Sequence, residues 1–254
     1  MAAVSITTLV PPATNGASAL PQAPLGAIPV PPTTPATVGV PTRLHSESQS
    51  QSQSQSTPVF RFSKNTHREA EGDFLIASPY TTREHLLDLS TLDTPNRLLA
   101  QALTTLTPLR PNYATAPYTE SFNWASVFVT LHNLAKKEGY SWPRQSFYVV
   151  VFRSILQADA EGDRLHLLDE RSHAEAVSSG GLLKYWFGVR NGRRENLATC
   201  VWRSREDART GGTGAWHAQA RAAAREMYEK IEFTTLELVV GERVGKWEFR
   251  EWKH

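Results

Sequence analysis

Residues 180–204 (GGLLKYWFGVRNGRRENLATCVWRS) constrain the fold more than any other stretch of the sequence. Two apolar and aromatic runs, 182–189 and 196–203, flank a polar turn that contains Asn191 and Gly192. Because Asn-Gly adopts positive φ at little cost, this pattern predicts a β-hairpin. Both faces of each predicted strand are apolar, whereas a sheet with one face in water alternates apolar and polar residues. Both faces of this sheet must therefore be covered.

The hairpin lies within a regular order of predicted strands and helices. The strands are predicted at residues 146–156, 182–189, 196–203 and 233–240, with 246–252 as a candidate for one more, and the helices at 163–179 and 204–231. Gly180 and Gly181 end the first helix, and Ser204 with Asp207 three residues later resembles a capping box at the start of the second. Three glycines interrupt this second helix before Ala215.

The order strand, helix, hairpin, helix, strand is that of the split βαββαβ unit, and it predicts an α+β fold with a ferredoxin-like antiparallel sheet. Both helices of such a unit lie on one face of the sheet. The other face is covered either by helices from the first half of the chain or by the same face of a second subunit, which gives a closed barrel with a cavity between the sheets. We favour the second arrangement, and with it a homodimer of the dimeric α+β barrel type.

The first half of the chain has two parts. Residues 1–57 are rich in Pro, Ala and Thr and end in a Ser/Gln repeat, a composition that predicts a disordered tail. Residues 58–254 are predicted to form a single α+β domain, with a helical extension at 58–140 and the ferredoxin-like core at 141–254.

The extension contains two predicted helices. Thr94 and Pro95 suit the start of a helix that runs to about residue 106. A second helix is predicted at about 120–137, where apolar residues recur at helical spacing, and Gly139 ends it. Short apolar pieces at 59–62 and 74–77 are candidates for edge strands or for loops held against the domain.

Composition excludes several classes of function. The net charge of +2, from 27 Lys and Arg against 25 Asp and Glu, is too balanced to predict nucleic acid as a partner. A single cysteine excludes an intrachain disulfide and a cysteine metal cage, and the histidine spacing gives no support for a zinc helix. Because no apolar run is long enough for a membrane span and the first charged residue is Arg43, we expect a cytoplasmic protein without membrane contact, metal or cofactor.

Five strings resemble a fungal family of uncharacterised proteins. They are ATAPYTESFNW (114–124), RQSFYVVVFRS (144–154), LDERSHAEA (168–176), GGLLKYWFG (180–188) and NLATCVWRS (196–204). The resemblance covers about residues 86–252 and its strings are long, so it is specific. It implies no particular reaction.

The βαββαβ half is also similar, more loosely, to dimeric α+β barrel proteins of the antibiotic-biosynthesis monooxygenase type. The similar parts are residues 202–208 (WRSREDA), Trp216-His217-Ala218 and Tyr228. Members of that group include cofactor-independent oxygenases of aromatic polyketides, haem-degrading enzymes and proteins without known catalysis. None of their catalytic motifs can be transferred residue by residue onto this chain.

Three residues are candidates for catalysis. His173 lies one helical turn beyond Asp169, whose carboxylate would orient the imidazole for acid–base work; a helix-surface hydrogen bond is the alternative. Asn196 begins a strand and would donate to a substrate oxygen, although Asn after a turn is also ordinary turn chemistry. Trp186 would line the cavity beside them, and its alternative is a place in the core.

Six further residues are candidates for binding a ligand: Tyr148, Arg153, Lys184, Tyr185, Trp202 and His217. The aromatic side chains would line a cavity for a flat hydrophobic compound, or simply fill the core. Charges inside apolar strands, as at Arg153 and Lys184, must reach water, a carboxylate or a ligand anion. His217 lies beside the glycine-rich break, where it would face a pocket or pack against the sheet.

The sequence therefore supports two functions. One is a small-molecule-binding or cofactor-independent monooxygenase-like protein that acts on a hydrophobic aromatic compound, whose own electron-rich ring would reduce oxygen. The other is a non-catalytic interaction or scaffold protein, in which the apolar faces are plain core. A cavity with convergent polar groups would favour the first, and solid packing the second.

Overall fold

The computed structural model describes residues 73–253. The tail predicted at 1–57 and the apolar piece at 59–62 lie outside the described residues. The helices are α1 (Thr94–Leu103), α2 (Tyr118–Ser121), α3 (Trp124–Lys137), α4 (Gly162–Ser179), α5 (Arg205–Gly211) and α6 (Ala215–Met227). The strands are β1 (Phe74–Leu75), β2 (Leu87–Asp88), β3 (Gln145–Leu156), β4 (Leu182–Phe187), β5 (Glu195–Trp202), β6 (Tyr228–Val240) and β7 (Trp247–Glu251).

The fold is α+β, as predicted, with a ferredoxin-like sheet. Within residues 73–253 the large sheet has five strands in the order β4-β5-β3-β6-β7, and every neighbouring pair is antiparallel. The strands from β3 to β6, with α4 between β3 and β4 and with α5 and α6 between β5 and β6, form the βαββαβ unit. Strand β7 extends this sheet at one edge, and β1 pairs with β2 in a separate small hairpin.

Local sequence signals account for most of these boundaries. Ser204 caps α5 by accepting a hydrogen bond from the backbone N–H of Asp207, as the capping pattern predicted. Pro95 lies in the first turn of α1, but the side chain that caps this helix is Asp93 and not Thr94. Gly180, at φ +85°, ends α4 in a conformation that few other residues adopt.

The turn of the β4–β5 hairpin differs from the prediction in its backbone. The residue with positive φ is Arg194, at +64°, and not Gly192. The side chain of Asn191 accepts hydrogen bonds from the backbone N–H groups of Arg193 and Glu195, so it shapes the turn by side-chain bonding. The hairpin forms as predicted, but the contribution of the Asn-Gly pair comes from the side chain of Asn191 and not from a positive φ at Gly192.

Three predicted helices are shorter than expected. The first, α1, ends at Leu103 instead of about residue 106. The helix predicted at 120–137 is divided into α2 and α3 at Phe122, which is extended, and Asn123 bonds through its side chain to the backbone of Thr105 and Thr107. The last helix ends at Met227, and β6 begins at Tyr228 instead of residue 233. The strand starts early because the long strand β3 offers backbone partners along its whole length, and this pairing outweighs the helical spacing.

Two apolar cores lie on opposite faces of the sheet. On the helix side, α4, α5 and α6 pack against residues such as Val150, Phe152 and Cys200. On the extension side, α1 and α3 pack against the alternate residues Val149 and Val151 and their neighbours. The chain's own first half therefore covers the second face, which is the alternative that we did not favour. The face on which a second copy would complete a barrel between two sheets is occupied by α1 and α3 of the same chain.

The end of α4 gives a first prediction, on stability. Gly181 lies at φ +79°, and a Cβ at this position would lie only 2.6 Å from the Cβ of Asp207. We therefore expect Gly181→Ala to lower the unfolding free energy by at least about 2 kcal/mol in urea denaturation. The matched control is Gly139→Ala, also at positive φ but with open space around it, which should cost about 1 kcal/mol. Equal losses would show that the contact with Asp207 does not matter.

Candidate functional site

A buried carboxylate, Asp169, forms the centre of a polar cluster on the helix side of the sheet. Asp169 lies on α4 and is fully buried, with 0% of its surface exposed. The phenol of Tyr185, on β4, donates to Asp169 Oδ1 at 2.5 Å, and the phenol of Tyr80 donates to Oδ2 at 2.5 Å. Both carboxylate oxygens therefore hold short hydrogen bonds from aromatic side chains.

Two histidines continue the cluster. The Nδ1 atoms of His85 and His173 lie 2.8 Å apart, so one ring carries the proton at this atom and donates to the other. The ring of His85 is stacked on that of Tyr80 with centroids 4.7 Å apart, and the ring of His173 lies 5.2 Å from both Tyr80 and Tyr185. The carboxylate of Asp169 thus bonds to the two tyrosines, and the hydrogen-bond partner of His173 is His85 instead.

Burial sets the protonation of these groups. It raises the pKa of Asp169 from 3.8 to about 7, against the two phenol hydrogen bonds, which act in the opposite direction. Burial lowers the pKa of His173 to about 3, and it also lowers the pKa of His85. At neutral pH the cluster therefore holds neutral imidazoles beside a carboxyl group that is ready to gain or lose a proton.

Helix α4 and one loop bring these side chains together. Asp169 and His173 are four residues apart, so they share the face of α4 that packs on the sheet. Tyr80 and His85 belong to a loop between β1 and β2, and the backbone N–H of Tyr185 on β4 donates to the carbonyl of Ala77 in this loop at 3.0 Å. The N-terminal extension therefore supplies two of the five side chains of the cluster.

His217 lies close to the same cluster. Its Nδ1 lies 3.0 Å from the carboxylate of Glu175, which also accepts hydrogen bonds from the backbone N–H groups of Trp216 and His217 at the start of α6. Burial lowers the pKa of His217, and its proximity contributes to the lowered pKa of His173. Three imidazoles therefore lie in one buried layer.

Several buried polar atoms in this layer have no hydrogen-bond partner within residues 73–253. They are Ser172 Oγ, Asn196 Oδ1, His217 Nε2 and Tyr228 OH. The alternation along β5 places Asn196 on the helix side, with Ala198 and Cys200. An unpaired buried polar group costs about 1–3 kcal/mol, so these atoms are suited to a bound molecule or to ordered water.

Of the residues singled out from the sequence, six lie in this layer. They are Tyr148, His173, Tyr185, Asn196, Trp202 and His217. Within it Tyr148 is farther from the cluster, since its ring contacts Trp252 edge-on at 4.9 Å, and Trp202 packs against Gly211 of α5.

The other three predicted residues lie on the extension side of the sheet and do not share a site with His173. Trp186 packs edge-on against Phe122 and Tyr113, with ring centroids 4.8 and 5.4 Å away. Arg153 donates to the backbone carbonyls of Ala114 and Ala116 and so holds the extension against β3. Lys184 pairs across the hairpin with Val201, which belongs to the extension-side core, and burial lowers the pKa of Lys184 to about 8.

Arg153 and Asn196 also line a small open cleft of about 190 Å³ at the ends of the strands. Its remaining charged residues are Glu195, Lys230 and Glu232. Lys230 and Glu232 form an ion pair at 2.6 Å, so the charges in this cleft largely satisfy one another. The polar cluster on the helix side is therefore the stronger candidate for chemistry.

Sequence reasoning did not identify Tyr80 or His85 as site residues. Tyr80 lies in irregular backbone and His85 in a short 3-10 helix, Arg83–His85, and neither segment shows the apolar spacing of a helix or a strand. Asp169 was considered only as a partner of His173. The signal that could have identified Asp169 as buried is its position on the same face of α4 as the apolar residues Leu165, Leu168 and Ala176.

Residues 73–253 contain no group of three His, Cys, Asp or Glu side chains arranged to hold a metal ion. Over the same range, none of the helices combines the length and the apolar character that a membrane crossing requires.

Two solved structures are similar to part of the chain. One is the structure of Rv0793 from Mycobacterium tuberculosis, with 19% identity, a TM-score of 0.32, and coverage of 35% of this chain and 92% of that one. The other is a putative antibiotic biosynthesis monooxygenase from Nitrosomonas europaea, with 10% identity, a TM-score of 0.31, and coverage of 42% and 91%.

Sequence comparison identifies the family. The profile of the PB2B2.08-like family matches residues 76–251. The UPF0643 protein PB2B2.08 of Schizosaccharomyces pombe is 38% identical over 193 residues, which cover 72% of this chain and 87% of that protein. The residues matched by the profile, 76–251, include the five strings that resemble a fungal family, and they belong to both the extension and the ferredoxin-like unit. The chain belongs to the PB2B2.08-like family of UPF0643 proteins.

Proposed function

We propose that the layer between the sheet and helices α4 and α6 binds a small hydrophobic aromatic compound, and that Asp169 exchanges a proton with it. The observation that carries this proposal is a fully buried carboxylate held by two phenols at 2.5 Å. A carboxyl group in such surroundings changes its charge near neutral pH, which suits a general base.

The surroundings of Asp169 are aromatic, and a flat ligand would take the place of one of the rings packed there. The aromatic rings of Tyr80, His85, His173, Tyr185 and Phe187 lie within about 6 Å of their neighbours in the cluster. Aromatic walls with a few fixed polar groups are typical of small-molecule sites. The unpaired hydroxyl of Tyr228, whose pKa is raised by burial and by the charge of Asp169, is a polar group for orienting such a compound.

The reaction that fits these groups is oxygenation without a cofactor. Asp169 would take a proton from an acidic C–H of the aromatic compound, and the resulting carbanion would reduce O₂ to a hydroperoxide on that carbon. Loss of water then leaves a carbonyl, so that CH₂ and O₂ become C=O and H₂O. The neutral imidazole of His173 would stabilise the negative charge as it develops.

Anthrone tests this proposal, because its CH₂ group is acidic and its oxidation is followed by absorbance. We expect oxidation under air above the buffer rate, rising with pH around the pKa of Asp169, and a loss of about 100-fold in Asp169→Asn. The control is Asp163→Asn, an exposed carboxylate on the same helix, which should keep the wild-type rate. Oxidation at the buffer rate, or an unchanged rate in Asp169→Asn, would contradict the reaction.

The alternative is an interaction protein in which this layer is only core. Native mass spectrometry of the purified protein separates the two, because a bound aromatic compound that is released in Asp169→Asn supports a site. The same spectra report the subunit count. The homodimer stays a prediction, and it needs a surface other than the covered face of the sheet.

A further inference from the structure

The loop that carries Tyr80 is joined to the domain at its base. Strands β1 and β2 pair through Phe74 with Asp88 and Leu75 with Leu87, so residues 76–86 form a loop with closed ends. We call this segment the Tyr80 loop. Its ends are fixed by backbone pairing, whereas its middle lies over the polar cluster.

The Tyr80 loop is held mainly by hydrogen bonds and ring contacts instead of buried aliphatic side chains. Ala77 is its buried apolar residue, while Ile76, Pro79 and residues 81–84 are exposed. Its polar contacts with the rest of the domain include the bonds of Tyr80 to Asp169, of His85 to His173 and of the Ala77 carbonyl to the backbone of Tyr185. Segments with little buried apolar surface open at low cost in free energy.

Tyr80 holds the position that a ligand of Asp169 would need. Its phenol occupies Oδ2, and its ring lies between the stacked ring of His85 and that of Phe187, at 4.7 and 6.1 Å. The ring is partly exposed, so Tyr80 separates the buried carboxylate from the solvent. A compound that reaches Asp169 from this side must displace Tyr80.

We propose that Tyr80 is a built-in substitute for the ligand, and that the Tyr80 loop opens to admit a planar aromatic alcohol. The hydroxyl of this compound replaces the Tyr80 phenol on Asp169, and its ring replaces the Tyr80 ring against His85. This inference rests on the ligand site proposed above, and it adds both the class of ligand and the residue that excludes others.

The test uses p-cresol, which is the side chain of tyrosine as a free molecule, and toluene, which lacks the hydroxyl. We expect Tyr80→Ala to bind p-cresol at least 10-fold more tightly than the wild type in calorimetric titration, and to bind toluene at least 10-fold more weakly than p-cresol. Tyr80→Phe keeps the ring but not the bond to Asp169, so its affinity for p-cresol should lie between those of the other two proteins.

Hydrogen exchange supplies the second measurement. Saturating p-cresol should accelerate exchange of the amides of the Tyr80 loop in the wild-type protein and leave those of β3 unchanged. Failure of folded Tyr80→Ala to bind p-cresol more tightly than the wild type overturns the proposal, and so does binding to the wild type without any change in the loop. If Tyr80→Ala does not fold, the test uses Tyr80→Phe. The proposal is overturned if this variant has the same affinity for p-cresol and the same hydrogen exchange in the Tyr80 loop as the wild type.

These outcomes are distinct from those of the anthrone assay. If Tyr80→Ala binds p-cresol tightly but the protein does not oxidise anthrone, the proposed role of Tyr80 is supported and the proposed reaction is wrong. If the wild type and Tyr80→Ala oxidise anthrone at the same rate, and p-cresol does not change hydrogen exchange in the Tyr80 loop, the proposed reaction is supported and the proposed role of Tyr80 is wrong.

Discussion

Replacement of Leu131 by alanine is expected to lower the unfolding free energy by about 3–5 kcal/mol, because the side chain is deleted from a filled core. Leu131 lies on α3 with 0% of its surface exposed, among the residues that cover the extension side of the sheet. Urea denaturation followed by circular dichroism measures the loss. The change is also expected to reduce cooperativity only slightly, since α3 and the sheet share one core.

The matched control is Val129→Ala on the same helix. Val129 is 61% exposed, so its replacement should change the unfolding free energy by less than about 0.5 kcal/mol. Equal effects of the two substitutions would mean that α3 does not cover the sheet in solution. The second face would then be free for another copy of the chain, as in the arrangement that the sequence favoured.

The stability of Asp169→Asn relative to the wild type is expected to depend strongly on pH. The pKa of Asp169 rises from 3.8 in the unfolded chain to about 7 in the folded protein. Between these values the unfolded chain has released the proton that the folded protein still binds, so wild-type stability falls as pH rises, by about 1.4 kcal/mol per pH unit. Asparagine does not titrate, so the unfolding free energy of Asp169→Asn rises relative to that of the wild type by about 3 kcal/mol between pH 4 and pH 7.

Urea denaturation of both proteins at half-unit steps of pH gives this difference directly. The control is Asp207→Asn, since the bonds of Asp207 to Arg203 and Ser204 lower the pKa of its carboxyl. This carboxyl stabilises the fold when charged, so the advantage of the wild type over Asp207→Asn is lost as pH falls. A pH-independent difference for Asp169→Asn would contradict the raised pKa of Asp169 and remove the basis for its role as a base.

His173 makes the overall pH profile less simple. Its lowered pKa means that the unfolded chain takes up a proton below about pH 6.5 that the folded protein binds only near pH 3. This effect destabilises the fold as pH falls, opposite in direction to that of Asp169. The comparison of variants with the wild type is therefore more informative than the wild-type profile itself.

The identity and order of the main elements could be predicted because they depend on local spacing. The β-branched run before Leu156 predicted β3, the two glycines after Ser179 predicted the end of α4, and Ser204 predicted the start of α5. Boundaries failed where a partner strand competed with local preference. Ile231 has helical spacing with the residues before it, yet it pairs with β3 as part of β6.

Part of the candidate site could also be predicted. His173 was identified from its spacing to Asp169, Tyr185 from its place in an apolar strand and His217 from its position beside the glycine-rich break. The structure brings the three into one layer. Trp186 and Lys184 come from the same strand as Tyr185 but lie against the extension-side core. Alternation along the strand separates Trp186 from Tyr185, and the irregular pairing between Leu182 and Lys184 shifts the register there.

The sequence by itself determined the α+β class, the βαββαβ order and the requirement that both faces of the sheet be covered, because each follows from the spacing of apolar residues within one element. Only the tertiary structure decided what covers the second face and which groups surround Asp169. Both depend on contacts between residues far apart in the chain, as between Tyr80 and Asp169 or between His85 and His173. Spacing within an element carries no information about such pairs, so the chain had to be folded before its buried carboxylate and the loop over it could be found together.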